Sequence, residues 1–177
     1  MKKILAMGAS SSTQSINKQL ATFSISQLEG YDTNLIDLND FEMPIFSMDK
    51  EQATGVPQEA KNFKRLIAES DGIVISFAEH NGSYSSAFKN IFDWTSRIEP
   101  SMWLDKPMFL LATSPGPRGG LSVLTLAVND FPYRKGKVVA QFSLPSFQNN
   151  FTAENGISDK GLLKSFQEQL ALFVDNV

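Results

Sequence analysis

Cysteine is absent from this 177-residue chain, and histidine occurs once, at His80. Without cysteine there can be no disulfide, no zinc site built on thiolates and no thiol nucleophile. One histidine, with no carboxylates at ligand spacing, also provides too few ligands for a zinc centre. The sequence therefore predicts no metal site.

A basic surface and a long apolar run are lacking as well. The chain has 16 Lys and Arg against 19 Asp and Glu, a formal net charge of -3, whereas proteins that bind nucleic acid need a basic face. The apolar run near the N-terminus, Ile4 to Met7, is too short for a secretory signal or a membrane span, and glycine and serine follow it closely. We predict a cytoplasmic protein with neither a nucleic-acid nor a membrane partner.

The chain does contain two alternating apolar patterns. Five short runs are continuously apolar, as in the strands of a parallel sheet covered on both faces. The runs between them have helical spacing, with Pro57 opening the second helix and Ser158 capping the last. The strands are predicted over residues 2–8, 33–38, 72–77, 107–113 and 138–142, and the helices around Ile16–Phe23, Phe63–Ile67, Phe88–Phe92, Leu121–Val128 and Ser158–Val174.

This alternation predicts a single α/β domain over residues 1–177, with helices on both faces of an open parallel sheet. Ligands of such folds bind in the loops that follow the carboxyl ends of the strands. Two further long loops are expected over residues 39–56 and 144–157. Loops of that length are often functional.

The loop after the first strand, GASSSTQSIN from Gly8 to Asn17, is rich in hydroxyl groups and precedes a helix. Hydroxyls and free N–H groups at the positive end of a helix favour a phosphate, although the same side chains also serve as helix caps. The loop has neither the ending of a P-loop nor the G-x-G-x-x-G fingerprint of dinucleotide sites. It therefore suits a monophosphate held by hydrogen bonds.

The loop after the third strand starts with AEHNGS, from Ala78 to Ser83. It is open to three interpretations: a hydrolytic site, a sharp turn before a helix, or one wall of a cofactor pocket. A triad of Glu79, His80 and Ser83 or Ser85 is disfavoured, because near neighbours in one loop rarely reach the required geometry and no G-x-S-x-G motif is present.

The loop after the fourth strand is ATSPGPRGG, from Ala112 to Gly120. Prolines stiffen it, and glycines let a ligand approach its backbone closely. It is either a second wall of the same pocket or a tight turn. Arg118 is a cation near this rim, either for a nucleotide phosphate or for solvent.

These three motifs, in this order and spacing, resemble those of the NADPH-dependent FMN reductase family. The resemblance lies in S-x-S-x-x-S-x-N at 10–17, A-E-H-N-G-S at 78–83 with F-K-N at 88–90, S-P-G-P-R-G-G at 114–120, and MPIFSMD at 43–49. It implies a flavodoxin-like three-layer sandwich with a five-stranded parallel sheet in the order 2-1-3-4-5. It also implies FMN as cofactor and NADPH or NADH as co-substrate.

The resemblance also implies which residues would bind FMN. The first loop would hold the phosphate, the second would line the isoalloxazine ring largely through backbone groups, and the third would close its other side. The residues so implied are Ser10, Ser12, Ser15, Ile16 and Asn17; Glu79, His80, Asn81, Gly82 and Ser83; and Ser114, Pro115, Gly116 and Gly119. No side chain is predicted to be catalytic.

The chain departs from the family pattern at three positions. Ser12 stands where the family usually has arginine, which removes a charge-assisted bond worth roughly 1.5–3 kcal/mol unless Lys18 or Arg118 replaces it. Ala78 replaces a proline. His80 replaces a tyrosine, and is either a rim residue or a proton donor to the acceptor.

The function implied is an NAD(P)H-dependent reductase that passes two electrons, by a ping-pong mechanism, to FMN and then to a small quinone-, azo- or nitro-type acceptor. A flavodoxin-type electron carrier and a flavin-free assembly module are the alternatives. The family resemblance further implies a homodimer or homotetramer. Phe92 and Trp94, on the helix after the second loop, are candidates for that interface or for the core.

Overall fold

Nine strands and seven α-helices make up the computed structural model, which describes all residues from Met1 to Val177. The strands are β1 (Lys3–Ala9), β2 (Asp32–Ile36), β3 (Gly72–Phe77), β4 (Glu79–His80), β5 (Ser83–Tyr84), β6 (Pro107–Thr113), β7 (Lys137–Leu144), β8 (Phe151–Thr152) and β9 (Gly156–Ile157). The α-helices are α1 (Ile16–Ser26), α2 (Met48–Thr54), α3 (Gln58–Glu69), α4 (Ser86–Thr95), α5 (Leu121–Asp130), α6 (Phe147–Asn150) and α7 (Lys160–Val174). Two 3₁₀ helices cover Leu38–Phe41 and Phe131–Arg134.

Five of the strands form one parallel sheet in the order β2-β1-β3-β6-β7. Counted within this sheet, the order is 2-1-3-4-5, as predicted. The chain leaves β1 toward β2 on one side and later returns to β3 on the other, so the order reverses between β1 and β3. Ala9 pairs with Phe77 at this point, which brings the loops after these two strands side by side.

Apolar side chains fill both faces of the sheet. One layer packs α3, α4 and α5 on it through residues such as Phe63, Phe88 and Val123. The other packs α1 and α7 through residues such as Leu20 and Phe166. All six residues of β3 are buried, which explains why its sequence is continuously apolar. The predicted three-layer arrangement is therefore confirmed.

The two predicted long loops are partly helical. Residues 39–56 contain most of the first 3₁₀ helix and all of α2, and residues 144–157 contain α6 and the β8–β9 hairpin. Short helices and two-residue strands have too few residues for a visible apolar period, which is why the pattern missed them.

The predicted cap of the last helix was wrong by one residue. The Asp159 carboxylate accepts a hydrogen bond from the Leu162 N–H at 2.8 Å and caps α7. Ser158 lies before the helix, where its N–H donates to the Asn150 carbonyl. Pro57, predicted to open α3, is the residue that precedes its first turn.

Phe92 and Trp94 were candidates for an interface or for the core, and the structure places both in the core. Both side chains are buried within the chain, and the Trp94 Nε1–H donates to the Pro44 carbonyl at 2.7 Å. Trp94 holds α4 against the segment after β2, whereas Phe92 packs on Trp103 and Phe131. None of the helices combines the length and the apolarity needed to cross a bilayer.

Candidate functional site

A cavity of about 210 Å³ lies at the carboxyl ends of β1, β3 and β6, where the three predicted loops meet. Most of the predicted site residues line it. They are Ser10, Ser12, Ser15, Ile16, Asn17, Glu79, His80, Ser114 and Pro115, together with Gln14, Ala78 and Thr113, which were not predicted. The fold therefore converts three distant motifs into one site.

The other predicted residues lie around this cavity and do not line it. Asn81, Gly82 and Ser83 are exposed at the tip of the β4–β5 hairpin. Gly116 lies in the third loop, and its carbonyl accepts from the Ser146 N–H at 2.9 Å. Gly119 is buried against β7, where its carbonyl accepts from the Ser143 Oγ–H at 3.0 Å.

The first loop presents unpaired hydrogen-bond donors. The Ser10 Oγ accepts from the Ser12 N–H at 3.1 Å, and the Ser15 Oγ caps α1 by accepting from the Lys18 N–H at 3.1 Å. Free donors at the positive end of a helix attract an anion. Four N–H groups of this loop and of the first turn make no hydrogen bond within the protein: those of Ser11, Thr13, Ile16 and Asn17.

Glycine at position 8 allows α1 to lie this close to the sheet. A Cβ atom at Gly8 would lie 2.4 Å from the Lys18 backbone nitrogen, so any side chain there would push the helix away. The N-terminus of α1 therefore stands directly over the end of β1.

The Asn17 side chain is engaged inside the protein. Its Nδ2–H donates to the Thr113 carbonyl at 3.1 Å, and its Oδ1 accepts from the Thr113 N–H at 3.0 Å and from the Ser76 Oγ–H at 2.8 Å. All three residues are buried. The amide thus pairs with Thr113 as a neighbouring strand would, and fixes α1 to the ends of β3 and β6. Only its backbone N–H remains for a ligand.

No lysine or arginine lines the cavity. The Lys18 ammonium donates to the Asp37 carboxylate, and this hydrogen bond holds the pKa of Asp37 below its usual value. The Arg118 guanidinium donates to the Ser122 Oγ at 2.6 Å and is exposed. Neither cation therefore replaces the arginine that is missing at Ser12.

The second loop is a β-hairpin. Asn81 and Gly82 both have positive φ, 52° and 75°, as a type I′ turn requires, and His80 pairs with Ser83 across it. Asparagine and glycine adopt this conformation most easily. The turn interpretation of AEHNGS is therefore confirmed, and its first three residues also line the cavity.

Glu79 and His80 diverge, as successive residues of a strand do. The Glu79 Oε2 accepts from the Val123 N–H at 3.1 Å, at the start of α5. His80 is exposed and makes no side-chain hydrogen bond. The Ser85 Oγ caps α4 and donates to the Ala9 carbonyl at 2.8 Å. No hydrogen bond joins the members of the suggested triad, so the hydrolase hypothesis loses its geometric basis.

The third loop is held from behind by the chain that follows β7. The Phe147 N–H donates to the Ser114 carbonyl at 3.1 Å, and the Ser114 Oγ–H donates to the Gly116 carbonyl at 3.3 Å. These bonds fix Ser114 and Pro115 at the cavity. No sequence pattern signals the partnership with residues 146–147, because 30 or so positions separate the two segments.

A larger cavity, about 740 Å³, adjoins the first one and shares Gln14 and Ser15 with it. It lies between α1, the β8–β9 hairpin and α7, with Phe23 and Leu163 among its lining residues. No sequence motif predicted this cavity, because its walls come from two helix faces and a hairpin that carry no motif.

One protein-family model, described as NADPH-dependent FMN reductase, matches residues 2–149 of the chain. The chain belongs to this family. The family predicted from the three loop motifs is thereby confirmed, and with it the predicted class of enzyme, an FMN-dependent reductase that uses NAD(P)H.

Individual proteins agree with this family assignment. An NADPH:quinone oxidoreductase of Arabidopsis thaliana is 31% identical over 134 residues, 74% of the reductase and 67% of that relative. An NAD(P)H-dependent FMN reductase of Pseudomonas aeruginosa is 26% identical over 175 residues, 95% of the reductase and 91% of that relative. The reductase spans about two thirds of the length of several curated relatives that it matches.

A solved structure confirms the flavodoxin-like fold. It is the FerB flavoenzyme NAD(P)H:(acceptor) oxidoreductase of Paracoccus denitrificans, which superposes with a TM-score of 0.78 at 24% sequence identity. The superposition covers 99% of the reductase and 97% of that chain. At this identity the likeness concerns the fold.

Proposed function

We propose that this reductase binds FMN at the three-loop cavity and passes two electrons from NAD(P)H to a small quinone-type acceptor by a ping-pong mechanism. The observation that carries the proposal is the meeting of all three family motifs at one cavity. The quinone class of acceptor is supported by the Arabidopsis relative, which is named for a quinone. Azo and nitro compounds are further candidates for the acceptor.

The cavity fits the phosphate of FMN. It offers serine hydroxyls and unpaired N–H groups at the start of α1, and a phosphate oxygen accepts from both. Its volume of about 210 Å³ is smaller than the usual range for a whole cofactor. We therefore assign the phosphate end of FMN to the cavity and the ring to the open rim between the hairpin and the third loop.

FMN, when bound, supplies the redox chemistry by accepting a hydride from the nicotinamide and delivering two electrons to the acceptor. The protein binds and orients the reactants, and the exposed rim admits them in turn. His80 lies at that rim with its imidazole exposed and available to donate a proton to a quinone oxygen. Tyr84 is unsuited to this task, because its hydroxyl is buried away from the rim and burial raises its pKa, which makes it a weaker acid.

Flavin binding tests this proposal first. Protein stripped of flavin should quench FMN fluorescence with micromolar or better affinity and bind riboflavin, which lacks the phosphate, far more weakly. Equal affinities for FMN and riboflavin would show that the cavity does not bind the phosphate. A protein that ignores both would refute the cofactor assignment.

Anaerobic reduction tests the enzyme class. NADPH should bleach the bound FMN quickly, and a quinone added afterwards should restore its colour. Bound FMN that NADPH does not reduce would indicate a flavodoxin-type carrier instead. Initial rates at several fixed quinone concentrations should give parallel double-reciprocal lines, the signature of ping-pong kinetics.

We also propose that the reductase forms a homodimer or homotetramer in the cytoplasm, through the segment after β2. The Asn90 side chain pairs with the backbone of this segment, accepting from the Phe46 N–H at 2.9 Å and donating to the Met43 carbonyl at 3.1 Å. Ile45 and Met48, whose side chains are 77% and 64% exposed, lie in this hydrogen-bonded segment. Apolar side chains held rigidly outward favour contact with a second copy.

A further inference from the structure

The start of α5 lacks a cap of its own. The residue before the helix is Gly120, which has no side chain to accept a hydrogen bond from the first turn. The N–H groups of a first turn need acceptors, and a carboxylate is among the most favourable. Glu79 supplies that acceptor from the second loop, 44 positions earlier in the sequence.

This hydrogen bond joins two walls of the site. Glu79 belongs to the β4–β5 hairpin, whereas Val123 lies in the first turn of α5, directly after the third loop. No other hydrogen bond connects residues 79–84 to residues 114–123. The base of the hairpin is fixed by Tyr84, which is buried against Phe77 and Phe88, but its tip from Asn81 to Ser83 is exposed. The Glu79 carboxylate is therefore the one directional contact between the hairpin and the first turn of α5.

We infer that Glu79 is a positioning residue, a clamp that sets the width of the rim between the hairpin and the third loop at which the flavin ring binds. The inference rests on the proposed function. The carboxylate acts through Val123 and touches no reacting atom. Glu79 also lines the cavity, where its negative charge would repel the cofactor phosphate. The positive end of α5 partly neutralises this charge and so reduces the repulsion.

Two substitutions separate the clamp from a general loss of stability. Glu79→Ala removes the acceptor, so we expect the Val123 N–H of the flavin-free protein to exchange with deuterium at least ten times faster, and FMN to bind about ten times more weakly. Glu79→Gln keeps a carbonyl oxygen for the same bond and should restore both values to within about threefold of wild type. Glu59→Ala provides the matched control, because Glu59 lies in the first turn of α3 and its side chain makes no hydrogen bond.

The inference is overturned if Glu79→Ala leaves the Val123 exchange rate or the FMN affinity as in wild type. It is equally overturned if Glu79→Gln is as defective as alanine, or if Glu59→Ala weakens FMN binding as much. The exchange measurement needs no cofactor. If wild-type protein binds no FMN, the proposed function fails while the hydrogen bond to Val123 is still tested.

Discussion

Replacing Asn17 by alanine would remove the side chain that joins α1 to β3 and β6. Its amide satisfies the N–H and the carbonyl of Thr113 and the hydroxyl of Ser76, and these residues are buried to 1% and 0% exposure. Alanine leaves both backbone groups of Thr113 without a partner. Each buried group so orphaned costs about 1–3 kcal/mol, so we expect the free energy of unfolding to fall by roughly 2–6 kcal/mol.

Urea denaturation followed by tryptophan fluorescence measures this loss, with the free energy obtained by linear extrapolation. Asn129→Ala is the matched control, since Asn129 is exposed on α5 and its side chain makes no hydrogen bond. The control should change stability by less than about 0.5 kcal/mol. Ser76→Ala, which removes one donor only, should cost about 0.5–1.5 kcal/mol and complete a graded series.

The reasoning is refuted if Asn17→Ala unfolds at the same urea concentration as the control. It is also refuted if Ser76→Ala costs more than Asn17→Ala. If Asn17→Ala does not fold at all, the expected loss exceeds the total stability, and Ser76→Ala still decides the sign and size of the effect.

Three further predictions concern other parts of the molecule. Ser12→Arg should restore a charge-assisted bond of about 1.5–3 kcal/mol and tighten FMN binding about 10- to 100-fold, measured by fluorescence titration, whereas Thr22→Arg, two turns along α1, should not. Asp37 has a lowered pKa because Lys18 donates to it, so its contribution to stability is present above pH 3.8 and is lost as the pH falls through the lower folded value. Asp37→Asn should therefore flatten the pH dependence of unfolding below pH 3.8, and an unchanged acid limb would contradict this. Ile45→Glu should lower the oligomer mass in analytical ultracentrifugation, and an unchanged mass would place the interface elsewhere.

The parts of the fold that the sequence predicted correctly depend on local signals. The continuously apolar run of β3 and its neighbours gave the strands, because a strand buried on both faces has no room for alternation. The Asn81-Gly82 pair indicated the turn, because both residues tolerate positive φ. The three loops met because the carboxyl ends of parallel strands share one edge of the sheet.

The parts that it missed depend on long-range contacts. The family resemblance implied that Asn17 binds the cofactor phosphate, but no local pattern showed that its amide pairs with Thr113, 96 positions away. Gly120 has no side chain to cap α5, so the cap comes from Glu79, 44 positions before Val123 in the sequence. Trp94 was a candidate for an interface or for the core, and its bond to the Pro44 carbonyl, 50 positions away, decides for the core. Such partners become known only once the chain is folded.

The absence of a cation at the cavity has a consequence for how cofactor binding responds to ionic strength. Sites that hold a phosphate with lysine or arginine weaken as salt is added, because dissolved ions screen the attraction between charges. Here the donors are neutral hydroxyl and amide groups, and Lys18 already pairs with Asp37. Added salt should therefore weaken FMN binding less here than at sites that hold the phosphate with a lysine or arginine, because only the weaker field of the α1 N-terminus is screened.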